Sequence, residues 1–429
     1  MGHTMTEKIL ARAGGLAEVD AGEVVLARIA MLTNPDWTPF IERLQAERLK
    51  LWDPKRVIFC FDHFMQGDWI PWRADLEHPK MRAFAKAQGV PDENVYDIGR
   101  NGISHHIPVE QGYALPGTVC VGADTQSAMM GAVNCFAIPV FASVEYIVLI
   151  GEIWLVVPEA VRINLSGALP RGLSGKDVVY RLIRDLGGKV DGKVLEFSGP
   201  GVATLSVDVR MAIANGAFQS GAATMIFPYD SVLESYLKGR NREPFEPVHA
   251  DPDARYAATY DFDLSRFDAL VAGPHEIELV RPLGEVAGLK IDGAYVGSCS
   301  SGRLSDLRLA AEVLRGRKVK PGVRFVVTPV SAETAREAAA QGLLQVFLDA
   351  GAMVTQPGCG ACEKYNLSPL RLIAGERCIS TSVEVRRGRM GSPDSEVMLA
   401  NAAVVAASAI EGRVADPAPY LAHHQEMAR

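Results

Sequence analysis

The chain has 429 residues, of which 48% are hydrophobic and 22% are charged, a balance typical of a folded globular protein rather than a disordered one. Its net charge of −7 and its lack of a Lys/Arg-rich run argue against nucleic-acid binding. The N-terminus lacks the apolar segment of a signal peptide, and the most apolar stretch, 135–158, is interrupted by Pro139, Glu145 and Glu152. We therefore expect no membrane span.

The predicted elements alternate between short β-rich runs and amphipathic segments. Residues 55–64 predict a buried strand with a polar end, and residues 116–133 predict a strand, a turn and a helix of small residues. The polar, proline-containing stretch 238–256 predicts a connector. A strand at 323–329 precedes a helix predicted from Ser331, a good N-cap, to Gly351.

This alternation predicts an α/β fold with largely parallel sheets. We expect three domains with boundaries near residues 160 and 280, which gives 1–160, 161–280 and 281–429.

The cysteine pattern is the most informative feature of the sequence. Seven cysteines, an odd number, do not indicate a disulfide scaffold, and we expect a cytoplasmic protein with reduced thiols. Cys359 and Cys362 have the CxxC spacing of a redox pair, of half a zinc site or of two cluster ligands, and Cys299 lies 359 − 299 = 60 residues earlier. Three thiolates on loop tips suit an iron–sulfur cluster with one iron open to substrate, although ordinary buried thiols are the alternative. The alternative is favoured for the remaining cysteines, Cys60, Cys120, Cys135 and Cys378.

Polar side chains end three predicted strands. Asp62 and His63 follow "VIFCF", His105 and His106 follow "RNGIS", and the tetrapeptide "DTQS" (124–127) follows "TVCVGA". Ligand sites in parallel α/β sheets lie beyond the carboxyl ends of strands. Each group alone is more often structural, but together with the cysteines they predict an active site.

At these residues the chain resembles the aconitase superfamily, in its branch of separate large subunits of the 3-isopropylmalate dehydratase type. The resemblance runs nearly end to end. The motifs that carry it are "MTEKILARAGG", "FDH", "GISHHIPVEQGYALPGTVCVGAD", "GALPRGLSGKDVVYRLI", "EFSGPGVATLSVDVRMAIANGA", "VGSCSSGRLSDLRLAA", "GCGAC" and "ISTSVEVRRGRMGS".

The resemblance implies three aconitase-like domains around a [4Fe-4S] cluster, whose open iron acts as a Lewis acid on a substrate hydroxyl. It implies Cys299, Cys359 and Cys362 as the cluster ligands. The catalytic residues that it implies are Asp62, His63, His105 and Asp124. It further implies that Asn215 and Arg389 contact substrate. The swivelling domain that supplies the serine base in single-chain relatives is absent, so a separate small subunit is the expected partner.

The sequence departs from the family pattern inside the site. The usual Asp-Ser-His-Thr reads "DTQS", which places Thr125 and Gln126 at the second and third positions, and Gln219 replaces a glutamate. Ser300 and Ser301 stand where Thr-Asn is usual.

A second group of departures lies near the end of the chain. In "STSVEVRRGR", Val383 and Glu384 occupy the places of an asparagine and a substrate-binding arginine. A carboxylate ~4 Å from a substrate carboxylate would cost about 4 kcal/mol at an effective dielectric of about 20. Either Arg386 or Arg387 supplies the missing cation, or the substrate lacks that carboxylate.

The sequence therefore predicts a hydro-lyase acting on a small hydroxy acid other than 3-isopropylmalate or citrate. The alternatives are a regular 3-isopropylmalate, homoaconitate or methylmalate-type dehydratase and a non-catalytic relative that keeps the cluster.

Overall fold

The computed structural model describes residues 2–36, 38–64, 71–141, 143–363 and 368–421, and of residues 71–76 the backbone only. Strands and helices alternate along these residues, and most strand pairs are parallel, which confirms the predicted α/β fold. No helix in the described ranges is long and apolar enough to cross a membrane.

The first part of the chain forms a five-stranded parallel sheet and a separate ribbon. Its strands are β1 (Val24–Arg28), β2 (Met31–Asn34), β3 (Val57–Cys60), β4 (Val95–Tyr96), β5 (Val119–Gly122), β6 (Phe136–Pro139) and β7 (Glu152–Val156). The sheet order is β4-β3-β2-β5-β6, and β1 pairs with β7 in an antiparallel ribbon. The helices are α1 (Met5–Gly14), α2 (Pro39–Ala46), α3 (Pro71–Gln88), α4 (Ile107–Glu110) and α5 (Val144–Ile150).

The second sheet is parallel throughout, with the order β10-β9-β8-β11. Its strands are β8 (Ala160–Ser166), β9 (Val194–Ser198), β10 (Thr224–Ile226) and β11 (Ala258–Asp263). Its helices are α6 (Gly175–Leu186), α7 (Val207–Ala214), α8 (Ala217–Ser220) and α9 (Ser231–Leu237). Most of the predicted connector, 238–256, lies between α9 and β11 and has neither helix nor strand.

The third sheet has the order β13-β12-β18-β17-β14-β15-β16. Strand β12 pairs antiparallel with both β13 and β18, and the other strand pairs are parallel. Its strands are β12 (Leu270–Ala272), β13 (Val280–Pro282), β14 (Gly293–Val296), β15 (Arg324–Val327), β16 (Met353–Val354), β17 (Arg377–Ser380) and β18 (Glu396–Leu399). Its helices are α10 (Leu283–Val286), α11 (Ser298–Ser301), α12 (Leu304–Leu314), α13 (Ala332–Ala340), α14 (Leu343–Ala350), α15 (Ala402–Glu411) and α16 (Ala418–Leu421). The domain boundaries at 160 and 280 stay a prediction.

Six 3₁₀ segments complete the secondary structure of the described ranges. They are Pro54–Arg56, Asp92–Asn94, Thr125–Val133, Pro200–Thr204, Leu264–Arg266 and Gly360–Cys362.

Central strands of the first and third sheets are buried on both faces, which explains their continuous apolar runs. All four residues of β3, of β5 and of β14 are buried. Side chains that follow such strands emerge at the carboxyl edge of a sheet, where the backbone leaves the core.

Three sequence predictions about elements need correction. The predicted helix 331–351 is two helices, α13 and α14, because Gly342 between them takes a left-handed conformation with φ of 69°. Its predicted limits are confirmed, since the Ser331 hydroxyl accepts a hydrogen bond from the backbone N–H of Thr334 and Gly351 ends α14 with φ of 92°.

The helix of small residues predicted after β5 is a 3₁₀ run, Thr125–Val133. The carbonyl of Gly131 accepts hydrogen bonds from the backbone N–H groups of Asn134 and Phe227, and this tertiary contact competes with α-helical pairing. The third correction concerns His105 and His106. They follow no strand but lie in a turn that leads into α4.

The carboxyl edges of the first and third sheets are joined by backbone hydrogen bonds. The N–H of Ile103 donates to the carbonyl of Val330 (3.0 Å), and the N–H of Cys359 donates to the carbonyl of Asp62 (2.9 Å). The side-chain amide of Asn101 donates to the carbonyl of Pro357 (2.7 Å). The predicted site residues of both sheets are thereby brought to one place.

Helix α6 connects the second sheet to the third. Ser174 and Asp177 form a capping box at its N-terminus. The carboxylate of Asp177 also accepts hydrogen bonds from the backbone N–H of Leu270 (3.4 Å) and from the side-chain amide of Asn401 (2.9 Å).

Asn134 joins the first sheet to the second sheet and the connector. Its side-chain amide group donates to the backbone carbonyls of Phe227 (3.1 Å) and Val248 (3.0 Å), and its side-chain oxygen accepts from the backbone N–H of Val248 (2.9 Å). The φ of Asn134 is 63°.

Asn134→Ala should lower the free energy of unfolding by about 3 kcal/mol, because three buried hydrogen bonds are lost. Asn134→Gly is the control, since it loses the same bonds but tolerates the positive φ and should be about 1 kcal/mol less damaging. Urea unfolding checks both, and an unchanged midpoint for Asn134→Ala would refute the prediction.

Candidate functional site

The Asp62–His63 pair lies where β3 ends, as the sequence predicts. Asp62 is fully buried and accepts a hydrogen bond from the backbone N–H of Ser104 (2.8 Å). Its other oxygen lies 2.7 Å from Nδ1 of His63. A carboxylate at that distance keeps the Nδ1 proton in place, so that Nε2 faces away from Asp62.

Asp36 belongs to this site, although no motif in the sequence drew attention to it. Its carboxylate accepts hydrogen bonds from the backbone N–H groups of His63 (2.9 Å) and Phe64 (2.8 Å), and it lies 3.1 Å from Nε2 of His78. Asp36 is two residues beyond the end of β2. The rule that polar residues follow strand ends could therefore have found it.

Asp124 links the two predicted histidines. One oxygen of Asp124 lies 3.6 Å from Nε2 of His63, and the other lies 3.2 Å from Nδ1 of His105. Asp124 also accepts the backbone N–H of Gln126 (2.8 Å) at the start of the 3₁₀ run. The structure thus brings all four predicted catalytic residues into one row: Asp62, His63, Asp124 and His105.

The pKa values in this row favour charged histidines beside carboxylates. Burial lowers the pKa of both imidazoles, but Asp62 and Asp36 hold the pKa of His63 well above its ordinary value. Asp124 and the nearby Cys299 thiol likewise raise the pKa of His105 to about 10. Burial opposes the charge of Asp124, yet the two imidazoles hold its pKa below its usual range.

The three predicted cysteines are buried and free, as are the other four cysteines. Cys299 lies on α11, whose backbone packs against the Gly360–Cys362 turn, and its thiol lies 3.8 Å from the side-chain oxygen Oδ1 of Asn215. The thiols of Cys359 and Cys362 hydrogen bond to each other.

Tyr295 sets the distance between the two cysteine loops. Its hydroxyl donates to the carbonyl of Cys359 (3.1 Å), and a Cβ at either Gly297 or Gly360 would collide with that hydroxyl. Gly360 also has a φ of 59°, which side chains rarely adopt. Glycine is therefore required at both places for the loops to close over Tyr295.

The charge around the cysteine pair favours a thiolate on Cys362. The hydrogen bond from Cys359 lowers the pKa of Cys362 to about 6, and the nearby Arg389 guanidinium acts in the same direction. Burial opposes the charge of Arg389, but the thiolates and Glu363 raise its pKa. The Arg389 Nη2 lies 3.2 Å from the Glu363 carboxylate.

Two sets of side chains have metal-ligand geometry within the described residues. The possible ligand atoms of His63, Cys359 and Glu363 lie within 4.8 Å of one another, and so do those of Asp36, Asp62 and His63. Glu363, one residue beyond Cys362, is a second residue that the sequence did not single out.

In the divergent loop after Ser382, the negative charge of Glu384 is neutralised by an arginine of the same loop. Glu384 pairs with Arg386, with the Glu384 Oε2 atom 2.6 Å from Nη2 and 2.8 Å from Nε of the arginine. The Glu384 side chain is 18% exposed and that of Arg386 is 73% exposed. Arg387 donates to the carbonyl of Pro393. The carboxylate that replaces the usual arginine is therefore charge-compensated by its own loop.

Three of the predicted polar residues line a small cavity together with Lys176 and apolar side chains. Lys176, Asn215, Gln219, Ile277, Ser300 and Val383 are among its lining residues. The Oε1 atom of Gln219 is buried without a hydrogen-bond partner in the described part of the chain, and so are Oε1 of Gln126 and Oγ of Ser301. Thr125 is half-buried at the start of the 3₁₀ run.

Lys176 is a third residue that sequence reasoning missed. Its buried ammonium donates to the Ser300 hydroxyl (3.2 Å) and to the carbonyls of Thr381 (2.9 Å) and Ser382 (2.7 Å). Burial lowers the pKa of Lys176 to about 8, although nearby thiolates oppose that change. The sequence signal that could have identified Lys176 is a lysine in the first turn of α6, a helix whose other face is apolar.

Comparison with known proteins gives a consistent match. The model of the aconitase family (aconitate hydratase) matches residues 7–412. The chain is 39% identical to 3-isopropylmalate dehydratase large subunit 1 of Methanopyrus kandleri, over 98% of this chain and 100% of that protein. It is 37% identical to 3-isopropylmalate dehydratase large subunit 2 of Rubrobacter xylanophilus (97% and 98% covered) and 39% identical to the 3-isopropylmalate dehydratase large subunit of Mycolicibacterium smegmatis (97% and 97%).

A solved structure also resembles the chain, at a much lower level. It is the holo-form of Thermococcus kodakaraensis aconitase X, with a TM-score of 0.48, 11% identity and 83% of each chain covered. A likeness this low adds nothing to the family assignment.

The His105–Asp124 contact makes stability depend on pH. The pKa of His105 rises from 6.5 to about 10 on folding, so its contribution is fully present below pH 6.5 and is lost as the pH rises through 10. In metal-free protein, His105→Gln should lower the free energy of unfolding by about 5 kcal/mol near pH 6, because each pKa unit corresponds to about 1.4 kcal/mol, and this difference from wild type should shrink as the pH rises through 10. Urea unfolding across this pH range measures it.

The matched control places the same substitution in an Asp124→Asn background. There His105→Gln should have a smaller effect with little pH dependence, because the carboxylate that raises the pKa is gone. An equal difference between His105→Gln and wild type at pH 6 and pH 10 would contradict the assignment.

Proposed function

Because the chain belongs to the aconitase family and is an enzyme of the hydro-lyase type, we propose that it is a [4Fe-4S]-dependent large subunit that adds water to, or removes water from, a small hydroxy acid. The observation that carries this proposal is that three buried thiols lie on two packed loops, with Cys359 beside His63 and Cys299 beside His105 in the Asp62–His63–Asp124–His105 row. Its substrate is a hydroxy acid other than 3-isopropylmalate or citrate.

The donor set fits an iron–sulfur cluster better than a structural zinc ion. Three thiols would hold the cluster, whereas structural zinc sites usually have four Cys or His ligands. Cys299, Cys359 and Cys362 would be those ligands, and the cluster would supply a Lewis-acidic iron to the substrate hydroxyl. The lowered pKa of Cys362 supports this fit for one thiol, because thiolates are the form that binds metal; the pKa of Cys359 is raised, so binding would have to displace the proton of that thiol.

The row of carboxylates and imidazoles would handle the protons of the reaction. His63 has its Nδ1 proton held by Asp62, and its ring lies next to the Cys359 sulfur. It is therefore placed to donate a proton from Nε2 to a leaving hydroxyl, and Asp124 would stabilise the charged imidazole before that transfer. His105, on the far side of Asp124, would hold that carboxylate in its ionised form.

The other half of the reaction needs a base for the carbon-bound proton. By resemblance, a serine of the small swivelling subunit would supply it. The matched relatives are themselves named large subunits, which supports a partner of this kind. We propose a heterodimer or a higher assembly of the two subunits.

The residues that replace the usual substrate contacts support a different substrate. Gln219 and Gln126 do not titrate at neutral pH, and each has a buried side-chain oxygen without a partner in the described part of the chain. The apolar side chain of Val383 lines the same small cavity as Gln219. A substrate group that donates hydrogen bonds, such as a hydroxyl or an amide, would suit these oxygens better than a second carboxylate.

A regular 3-isopropylmalate dehydratase large subunit is the second candidate. It is supported by 39% identity over nearly the whole chain and by the Glu384–Arg386 pair, which removes the bare negative charge that argues against a dicarboxylate. Robust turnover of 3-isopropylmalate by the chain with its small subunit would favour this candidate.

Anaerobically prepared protein should contain close to four irons and four sulfides per chain. Replacing any of Cys299, Cys359 and Cys362 by alanine should abolish or severely reduce both, because each thiol would hold one iron. Cys378→Ala is the matched control, since Cys378 is equally buried but lies within β17, and it should keep wild-type iron and sulfide. Iron and acid-labile sulfide assays make the measurement.

Two outcomes would contradict the cluster proposal. Iron without sulfide, or zinc in its place, would point instead to a single metal ion held by His63, Cys359 and Glu363. Wild-type loading in all three alanine variants would show that these thiols are not the ligands.

Glu384→Arg should change substrate preference without removing the cluster. It restores the cation that the family usually places there, and we expect the ratio of kcat/KM for 3-isopropylmalate to that for the native substrate to rise by at least about tenfold. Glu396→Arg is the control, because Glu396 also pairs with an arginine, Arg377, but does so in β18. A substrate panel with the small subunit present tests this. A ratio that moves equally in both variants would argue against a specificity role.

A further inference from the structure

Lys176 is a buried cation that the proposed reaction does not use. Only 4% of the residue is exposed, and it lies in the first turn of α6 after the Ser174 cap. Its ammonium has three protons and three oxygen acceptors, namely the Ser300 hydroxyl and the carbonyls of Thr381 and Ser382. Its hydrogen bonding is therefore complete, which a buried ammonium requires.

The acceptors of Lys176 belong to segments that carry or contact the thiols. Ser300 directly follows Cys299 on α11, and its hydroxyl also donates to the carbonyl of Thr381. The Thr381 hydroxyl exchanges hydrogen bonds with both backbone groups of Gly297 (2.9 and 3.0 Å). Lys176 and Thr381 together thus enclose the segment 297–300.

The same segment reaches the other cysteine loop. The backbone N–H of Val383, one residue beyond Ser382, lies near the Cys362 sulfur and lowers the pKa of that thiol. The stretch 381–383 therefore contacts the Cys299 loop on one side and Cys362 on the other. The ammonium of Lys176 binds the carbonyls of Thr381 and Ser382 in this stretch. It therefore fixes the distance between the Cys299 loop and the loop that carries Cys362.

The charge of Lys176 complements that of the thiols. If Cys299 and Cys362 hold the cluster as thiolates, they would attract the ammonium, as Asp306 does, whereas Arg303 repels it. Burying an ammonium is unfavourable, and an apolar residue of the same length would avoid that cost. The packing of α6 therefore does not require a charge at this position.

We propose that Lys176 is a positioning residue for the thiolate site. It holds the Cys299 loop and the segment 381–383 together, and it balances the negative charge of the buried thiolates, so that it governs how firmly the iron–sulfur cluster is held and at which potential it is reduced. This inference rests on the proposed function, because it assumes the cluster at these thiols.

The test compares four proteins, each reconstituted anaerobically: wild type, Lys176→Met, Lys176→Arg and Lys189→Met. Methionine keeps the length and removes the charge, and arginine keeps the charge. Lys189 is an exposed lysine just beyond the end of α6 and serves as the control. The readouts are the rate of iron loss to a chelator, the midpoint potential of the cluster and the melting temperature of the cluster-free protein.

Lys176→Met should lose iron at least about tenfold faster than wild type, and its potential should shift to more negative values, because a nearby positive charge that favours the reduced cluster is gone. Lys176→Arg should keep a potential near that of wild type, and Lys189→Met should match wild type in every readout. A merely structural role would lower the melting temperature and iron content but would leave the potential of the loaded fraction unchanged.

If the wild type binds the cluster, and Lys176→Met has the same midpoint potential and the same rate of iron loss as the wild type, this inference alone is overturned. A wild type without iron and sulfide would overturn the proposed function as well. Should Lys176→Met not fold, Lys176→Gln decides the charge question by the same potential measurement. Thr381→Val then decides the positioning question, because it keeps the charge and should accelerate iron loss without moving the potential.

Discussion

The site depends on the contact between the carboxyl edges of two parallel sheets. The hydrogen bond from the N–H of Cys359 to the carbonyl of Asp62 joins a cysteine loop of the third sheet to the Asp62–His63 pair of the first. The nearby contact of Asn101 with the carbonyl of Pro357 holds the same two regions. Without this contact the thiols and the imidazoles would belong to separate surfaces.

Charge balance is the second constraint on this site. Buried thiols, carboxylates and imidazoles cannot share a small volume unless opposite charges alternate. The row from Asp62 to His105 alternates in this way, and the cations of Lys176 and Arg389 lie near the thiols. The Glu384–Arg386 pair follows the same principle, so a substitution that looks prohibitive in the sequence is tolerated in the fold.

The sequence predicted those parts of the site that follow from local rules. The positions of the strand ends predicted Asp62, His63 and Asp124 as site residues. The cysteine spacing, together with the family resemblance, predicted the three thiols. Asp36 and Lys176 were missed for a physical reason. Their roles come from tertiary hydrogen bonds to residues 27 and more than 100 positions away, which no local pattern encodes. The break at Gly342 and the 3₁₀ run before Asn134 were missed because backbone conformation and tertiary hydrogen bonds overrode helical periodicity.

The most direct test of the central claim is Mössbauer spectroscopy of the chain reconstituted with iron-57. If three cysteines hold a four-iron cluster, one iron lacks a protein thiolate and should give a distinct signal. That signal alone should change when the hydroxy-acid substrate is added. Four equivalent irons, or a spectrum that substrate does not alter, would contradict the account.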